Sequence, residues 1–230
     1  MQKVAIEQKK RLVAALRKMK LFVFDLDGTL LDTLSDLTDS VNYALNKLGL
    51  PLKTDEQVRR MVGNGIAVTL LKAMGDGKEN LLQQAKQFQQ EYYNAHCNDK
   101  TVPYNGVKRL LAQLKLRGYI VAVYTNKAQA AAEDLCGKQF GTDVDYVIGT
   151  ISDDETKPSA TRLLRLMNKL SVPKQNCVYC GDSDVDIDTA RNAGVRCISA
   201  AWGFKDKSFL LRYGATDIAD SPEQVLSFVK

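Results

Sequence analysis

The chain has 230 residues, of which 45% are hydrophobic and 26% charged, as is usual for a globular protein of one or two domains. No apolar stretch approaches the roughly 18 residues needed to cross a bilayer, and residues 1–20 lack the apolar core of a secretion signal. These features argue against a membrane-spanning or exported protein, and we expect a cytoplasmic enzyme.

The net charge of +5 is concentrated in the first twenty residues. They hold seven lysines and arginines against one acid, Glu7, so the rest of the chain is close to neutral. Apolar residues recur there at helical spacing, which predicts a basic N-terminal helical extension over residues 1–20. We expect its basic face to be solvated, with neither nucleic acid nor membrane as a partner. An anchor on an acidic membrane or on nucleic acid is the alternative.

The apolar run 21–24 precedes two acids, Asp25 and Asp27, and then Gly28. Such a run followed by glycine predicts a buried strand that ends in a tight turn. Aspartate is unfavourable inside a buried strand and favourable at its end, where open α/β sheets bind ligands. The segment therefore predicts a strand that brings two carboxylates to an active site.

Residues 34–103, the helical insert, show helical patterns with no strand pattern between them. Helices are predicted at 35–48, 54–62, 66–74 and 78–95, with Ser35 and Thr54 as N-caps and Gly49 and Gly75 at helix ends. A helical block after the first strand predicts a cap domain over the carboxyl edge of a sheet, with hinges near 32–34 and 101–105. The catalytic core would then comprise 21–33 and 104–230.

From residue 119 onward, strand and helix patterns alternate. Strands are predicted at 119–124, 145–148, 176–180, 195–200 and 216–219, and helices at 128–138, 159–170, 185–193 and 222–229. This alternation predicts an α/β fold, a parallel sheet with helices on both faces. Cys177 and Cys180 have the spacing of a metal or redox pair, but residues three apart on a strand point to opposite faces. We expect the five cysteines to be buried free thiols.

Polar groups follow the predicted strand ends. Thr125 and Asn126 follow the second strand of the core, and Asp182 follows the strand at 176–180, with Asp186 four residues later. Lys157 precedes the helix at 159. These ends face the same side of a parallel sheet. Crowded carboxylates repel one another, and a divalent cation such as Mg²⁺ would relieve the repulsion. Phosphoryl transfer to a carboxylate nucleophile is the chemistry that this set favours.

The segments 25–29, 125–126, 157–158 and 181–186 resemble the four ordered motifs of the haloacid dehalogenase-like hydrolases. The resemblance spans nearly the whole chain after residue 20, and it implies a Rossmann-like core with a helical cap. Within the insert and after the sheet, 62–65, 202–204 and 220–223 resemble the phosphoglycolate phosphatase branch. The chain departs from the third motif at Ala160, where proline is common.

The resemblance implies a role for each motif residue. Asp25 would attack phosphorus, and Asp27 would protonate the leaving oxygen and then activate water. Mg²⁺ would be held by the Asp25 carboxylate, the backbone carbonyl of Asp27 and Asp182. Asp186 would support the site through water or by orienting Lys157, which would offset negative charge on Asp25 and on the transferring group.

Further residues would bind the substrate or support the turn. Thr125 and the backbone of Asn126 would hold phosphate oxygens. Gly28 and Thr29 would shape the turn after the first strand. The break between insert helices at Gly63 and Asn64 would face the active site and touch substrate.

The implied reaction is Mg²⁺-dependent hydrolysis of a small phosphorylated metabolite through an aspartyl-phosphate, with 2-phosphoglycolate as the first choice of substrate. A β-phosphoglucomutase-like phosphosugar isomerase and a pyrophosphatase or nucleotidase of the same superfamily are alternatives. A non-catalytic binding protein on this fold is a further alternative, although the intact set of acids and lysine argues against it. The oligomeric state is left open.

Overall fold

The computed structural model describes residues 19–151 and 155–229, so most of the predicted N-terminal extension lies outside the described residues. The strands within these residues are β1 (Lys20–Phe24), β2 (Leu31–Asp32), β3 (Val102–Pro103), β4 (Tyr119–Ala128), β5 (Tyr146–Thr150), β6 (Cys177–Gly181), β7 (Arg196–Ala200) and β8 (Asp217–Ala219). Six of them form one sheet in the order β5-β4-β1-β6-β7-β8. All of its pairings are parallel, which confirms the predicted fold class.

Helices surround this sheet and fill the insert. They are α1 (Leu34–Lys47), α2 (Asp55–Met61), α3 (Ile66–Met74), α4 (Leu82–His96), α5 (Val107–Leu116), α6 (Gln129–Phe140), α7 (Thr161–Lys169), α8 (Asp184–Ala193), α9 (Lys207–Arg212) and α10 (Pro222–Val225). Among the described residues, no helix combines the length and the apolar character needed to cross a membrane.

The sheet is buried on both faces, which explains why its strand β1 is apolar from Leu21 to Phe24. Phe22 and Phe24 of β1 belong to one apolar cluster, whereas Leu21 and Val23 belong to the cluster on the other face. Cys177 and Cys180 are divided in the same way. The predicted separation of the C-x-x-C pair is therefore confirmed. All five cysteines are free thiols, as predicted, but only four are buried, because Cys197 is partly exposed.

The insert helices α1 to α4 pack around a third apolar cluster, to which the core contributes Phe204. Thr54 caps α2 through reciprocal hydrogen bonds with Gln57, and Gly75 ends α3, as predicted. The predicted N-cap Ser35 is wrong, because α1 begins at Leu34. The reason is that the Asp32 carboxylate already accepts the Leu34 N–H at 3.3 Å, so the orphan amide at the helix start is satisfied from outside the helix.

The chain enters the insert and returns from it through two neighbouring segments. The crossings pair as the antiparallel strands β2 and β3, each only two residues long, which sequence patterns did not reveal. The buried Asp36 carboxylate ties them further, since it accepts the backbone N–H groups of Lys100 and Thr101 and the Thr101 hydroxyl.

Candidate active site

Two acids lie side by side because neighbouring parallel strands end beside each other. Asp25 directly follows β1, and its N–H donates to the Cys180 carbonyl of β6 at 2.9 Å. Asp182 directly follows β6, and Asp186 lies in the first turn of α8. One carboxylate oxygen from each of the three acids lies within 4.8 Å of the other two. The strand ends thus form a compact cluster of negative charge.

A buried lysine stands between two of these acids. The ammonium of Lys157 lies 2.9 Å from Asp25 Oδ2 and 2.7 Å from Asp186 Oδ1, and only 1% of its side chain is exposed. The second Asp186 oxygen accepts the Ser183 N–H and hydroxyl at 3.1 and 2.6 Å, closing a capping box at the start of α8. Asp186 is therefore engaged on both oxygens and holds Lys157 toward Asp25.

Asp182 is fixed by donors from two loops. Thr29 Oγ1 donates to one carboxylate oxygen at 2.9 Å, and the Phe204 N–H donates to the other at 2.8 Å. A Cβ added at Gly28 would lie 2.5 Å from Asp182 Oδ2, and one at Gly203 would lie 2.4 Å from Asp182 Cβ. Gly28 also has a φ of +81°, which other residues rarely adopt. Both glycines therefore leave the space that this carboxylate occupies.

The electrostatics of the cluster call for additional positive charge. Burial raises the pKa of Asp25 to about 8, although Lys157 opposes the rise, and burial raises the pKa of Asp182 to about 7. The neighbouring carboxylates contribute to the rise of both pKa values. A set of carboxylate oxygens within reach of one another suits a hard divalent cation, which favours oxygen ligands. The residues present therefore fit a metal site that includes Asp25 and Asp182.

Asp27 has a partner that the sequence analysis missed. Both of its carboxylate oxygens accept from the ammonium of Lys127, at 2.8 and 3.0 Å. Burial lowers the pKa of Lys127, but the charge of Asp27, the neighbouring Tyr93 and hydrogen bonding to both together outweigh burial, so this pKa lies above its usual value. The available signal was its position directly after Thr125 and Asn126, since a lysine at a buried strand end requires an anionic partner.

Asn126 connects the second strand end to the loop that carries Lys157. Its Oδ1 accepts the Lys157 N–H at 2.7 Å, and its Nδ2 lies 3.2 Å from the Lys157 carbonyl and 3.3 Å from the Gly63 carbonyl of the insert. The buried Thr125 hydroxyl accepts the Lys127 N–H at 3.2 Å. The predicted phosphate-binding pair thus lies at the junction of core and insert.

A cavity of about 120 Å³ lies between the strand ends and the insert. The core lines it with side chains that include Asp25, Asp27, Thr125, Asn126 and Asp182, and the insert lines it with Gly63, Gly65, Ile66, Gln89 and Tyr93 among others. Asn64 lies between two lining glycines but is itself exposed and does not line the cavity. Of the predicted insert pair, only Gly63 therefore borders this space.

The comparisons with known proteins point in one direction. The family model described as haloacid dehalogenase-like hydrolase matches residues 22–200. A phosphoglycolate phosphatase of Pseudomonas putida is 32% identical over 214 residues, covering 90% of this chain and 76% of the relative. One from Vibrio parahaemolyticus is 31% identical over 221 residues, covering 92% of this chain and 96% of the relative.

Solved structures share the same fold. The crystal structure of a predicted phosphoglycolate phosphatase from Haemophilus somnus superposes with a TM-score of 0.84 at 29% identity, covering 92% of this chain and 98% of that one. A predicted phosphatase from Clostridium acetobutylicum gives a TM-score of 0.81 at 22% identity, which shows likeness of fold alone.

Proposed function

This chain belongs to the haloacid dehalogenase-like hydrolases, and from that premise we propose that it is a Mg²⁺-dependent phosphatase acting through an aspartyl-phosphate. The observation that carries the proposal is the position of Asp25 at a strand end, paired with Lys157 and beside Asp182. A family enzyme that forms a covalent intermediate requires a carboxylate held in one orientation next to positive charge. A cytoplasmic location is part of the same proposal.

Asp25 is the nucleophile. One of its oxygens accepts the N–H of Leu26 at 2.7 Å, and the other pairs with Lys157. The carboxylate therefore cannot rotate freely, and its attack on phosphorus needs little reorganisation. A bond forms between an Asp25 oxygen and phosphorus while the bond from phosphorus to the ester oxygen breaks. Lys157 stabilises the negative charge on the transferring group.

Asp27 is the acid–base catalyst. It gives a proton to the departing ester oxygen, and in the second half of the reaction it takes a proton from the water that attacks the phosphorylated Asp25. Its backbone carbonyl and the carboxylates of Asp25 and Asp182 would hold Mg²⁺, which when bound supplies positive charge to the phosphate oxygens. The Thr125 hydroxyl and the Asn126 N–H bind those oxygens from the other side.

The helical insert acts as a cap. Its helices build most of an apolar cluster that the core joins through Phe204, the chain enters and leaves it through the paired strands β2 and β3, and it lines one side of the cavity. A separately packed unit on a narrow connection suits a lid that closes over substrate and excludes water. The cap comprises residues 34–103, and the core comprises 21–33 and 104–230.

The substrate is a small phosphomonoester, and 2-phosphoglycolate is our choice. Relatives about a third identical over most of this chain are phosphoglycolate phosphatases by name. The cavity of about 120 Å³ is well below the roughly 300 Å³ at which pockets for drug-sized ligands begin, which favours a compact ester over a nucleotide.

The direct test is phosphate release from a panel of esters, with Mg²⁺ and with a chelator. The panel includes 2-phosphoglycolate, a hexose phosphate, pyrophosphate and a nucleoside monophosphate. We expect Mg²⁺-dependent release with 2-phosphoglycolate preferred, and loss of release in Asp25→Asn. Asp134→Asn, on an exposed and ion-paired aspartate, is the matched control. Full release by Asp25→Asn would refute the covalent mechanism, and a preference for another ester would refute the substrate assignment.

A further inference from the structure

Lys127 is buried between the acid–base carboxylate and the helical insert. Only 4% of its side chain is exposed, compared with 20% for its partner Asp27. It stands at the irregular end of β4, beyond the register shift that follows Tyr124. Burying a lysine is unfavourable unless it is paired, so its contacts at this position should carry a function or a structural role.

The pair between Lys127 and Asp27 fixes the orientation of the acid. Both carboxylate oxygens are engaged by one ammonium, at 2.8 and 3.0 Å, and no other ion pair of Asp27 occurs within residues 19–151 and 155–229. A carboxylate without such a partner would sample several rotamers. A displacement of the order of 1 Å at a catalytic group can cost about 10²-fold in rate.

The insert contributes the second contact of Lys127. Its ammonium lies 4.8 Å from the ring centroid of Tyr93, within the range of a cation–π interaction. Tyr93 lies on α4 and is 94% buried, and its hydroxyl has no hydrogen-bond partner in the described part of the chain. The ring therefore makes the main contact, and the nearby hydroxyl adds to it, since Tyr93 helps to raise the pKa of Lys127.

We propose that Lys127 is a positioning residue for Asp27, and that the Tyr93 ring holds Lys127 in place when the insert covers the strand ends. This inference rests on the proposed function of the same site. Its chemical consequence lies in the first half of the reaction. The phosphorus–oxygen bond breaks there, and an alkoxide leaving group takes its proton from Asp27. A carboxylate leaving group such as acetate departs without a proton.

Two compact substrates separate a positioning role from a structural one. We would measure kcat/KM with Mg²⁺ for 2-phosphoglycolate, which needs the proton, and for acetyl phosphate, which does not. We expect Lys127→Met to lower kcat/KM for 2-phosphoglycolate by about 10²-fold, in the range of general acid catalysis. The loss in kcat/KM for acetyl phosphate should be smaller by about tenfold or more. Lys127→Arg should retain most of the wild-type kcat/KM for 2-phosphoglycolate.

The contact from the insert has its own matched pair of variants. Tyr93→Leu removes the ring and should reproduce the substrate-dependent loss in part, whereas Tyr93→Phe keeps the ring and should show a clearly smaller loss than Tyr93→Leu. Lys138→Met, on an exposed lysine of α6, controls for removal of a charge. If Lys127→Met does not fold, Tyr93→Leu applies the same test with the ion pair intact.

Equal losses on the two substrates, or no loss, would overturn the inference while the wild type remained an active phosphatase. A wild type that released phosphate from neither of these substrates nor from any member of the ester panel would instead refute the proposed function, and with it the inference. The two failures are therefore distinguished by the wild-type rates alone.

Discussion

Lys157→Met tests whether the buried lysine holds the acidic cluster together. The ammonium lies within 2.9 Å of Asp25 and 2.7 Å of Asp186, and its side chain is 1% exposed. Removing one partner of such a buried pair costs about 3–5 kcal/mol, because the remaining charges stay buried without compensation. For a domain of this size that loss corresponds to a Tm lower by about 6–20 °C. Urea unfolding without metal, at mildly alkaline pH, measures the free energy directly.

Removal of a neighbouring carboxylate should relieve part of this loss. Adding Asp186→Asn to Lys157→Met removes one of the stranded charges, so the double variant should be less destabilised than the sum of the two single variants. Lys138→Met, which removes an exposed lysine, should lie within about 0.5 kcal/mol of the wild type. A Lys157→Met protein within about 1 kcal/mol of the wild type would refute the view that this lysine is the essential counter-ion.

Three further predictions concern the metal site and the thiols. Gly28→Ala places a Cβ 2.5 Å from an Asp182 oxygen, so the Mg²⁺ concentration for half-maximal turnover should rise by about 10-fold or more; an unchanged value contradicts this. Since burial raises the pKa of Asp25 to about 8, protonation stabilises the metal-free fold at low pH, and this stabilisation is lost as the pH rises through that value. The Tm increase on adding Mg²⁺ should therefore be larger at about pH 8.5 than at about pH 5.5, and equal shifts at the two pH values would argue against it. Burial also raises the pKa of Cys177 to about 12. A thiol reagent should therefore label the native protein slowly, whereas in urea it should label all five cysteines. Rapid labelling of all five in the native protein would contradict the buried placement.

Much of the fold could be predicted because its signals are local. The alternation of strand and helix patterns after residue 119 is sufficient to indicate a parallel sheet, and the apolar run before Asp25 indicates a strand buried on both faces. The helix start at Leu34 was missed, since the carboxylate of Asp32 replaces the expected cap. The short pair of β2 and β3 was missed because two residues carry no periodicity.

Some residues of the site could likewise be placed from the sequence, and others could not. The rule that parallel strands end on one side of a sheet is sufficient to bring Asp25 and Asp182 together. The same rule brings Lys127 to this edge, directly after Thr125 and Asn126, but it does not pair this lysine with Asp27, because an isolated lysine is usually solvated. The Phe204 N–H that donates to Asp182 is a backbone group, and no side-chain pattern identifies it.

The identity of the nucleophile is the central claim, and trapping the intermediate tests it most directly. Wild-type protein turning over a labelled phosphomonoester with Mg²⁺ is quenched in acid, digested and analysed by peptide mass spectrometry. We predict a phosphoryl group on the peptide that contains Asp25, with no such group in Asp25→Asn. Turnover by the wild type with the phosphoryl group on another residue, or an Asp25→Asn protein that still releases phosphate at the wild-type rate, would contradict the account.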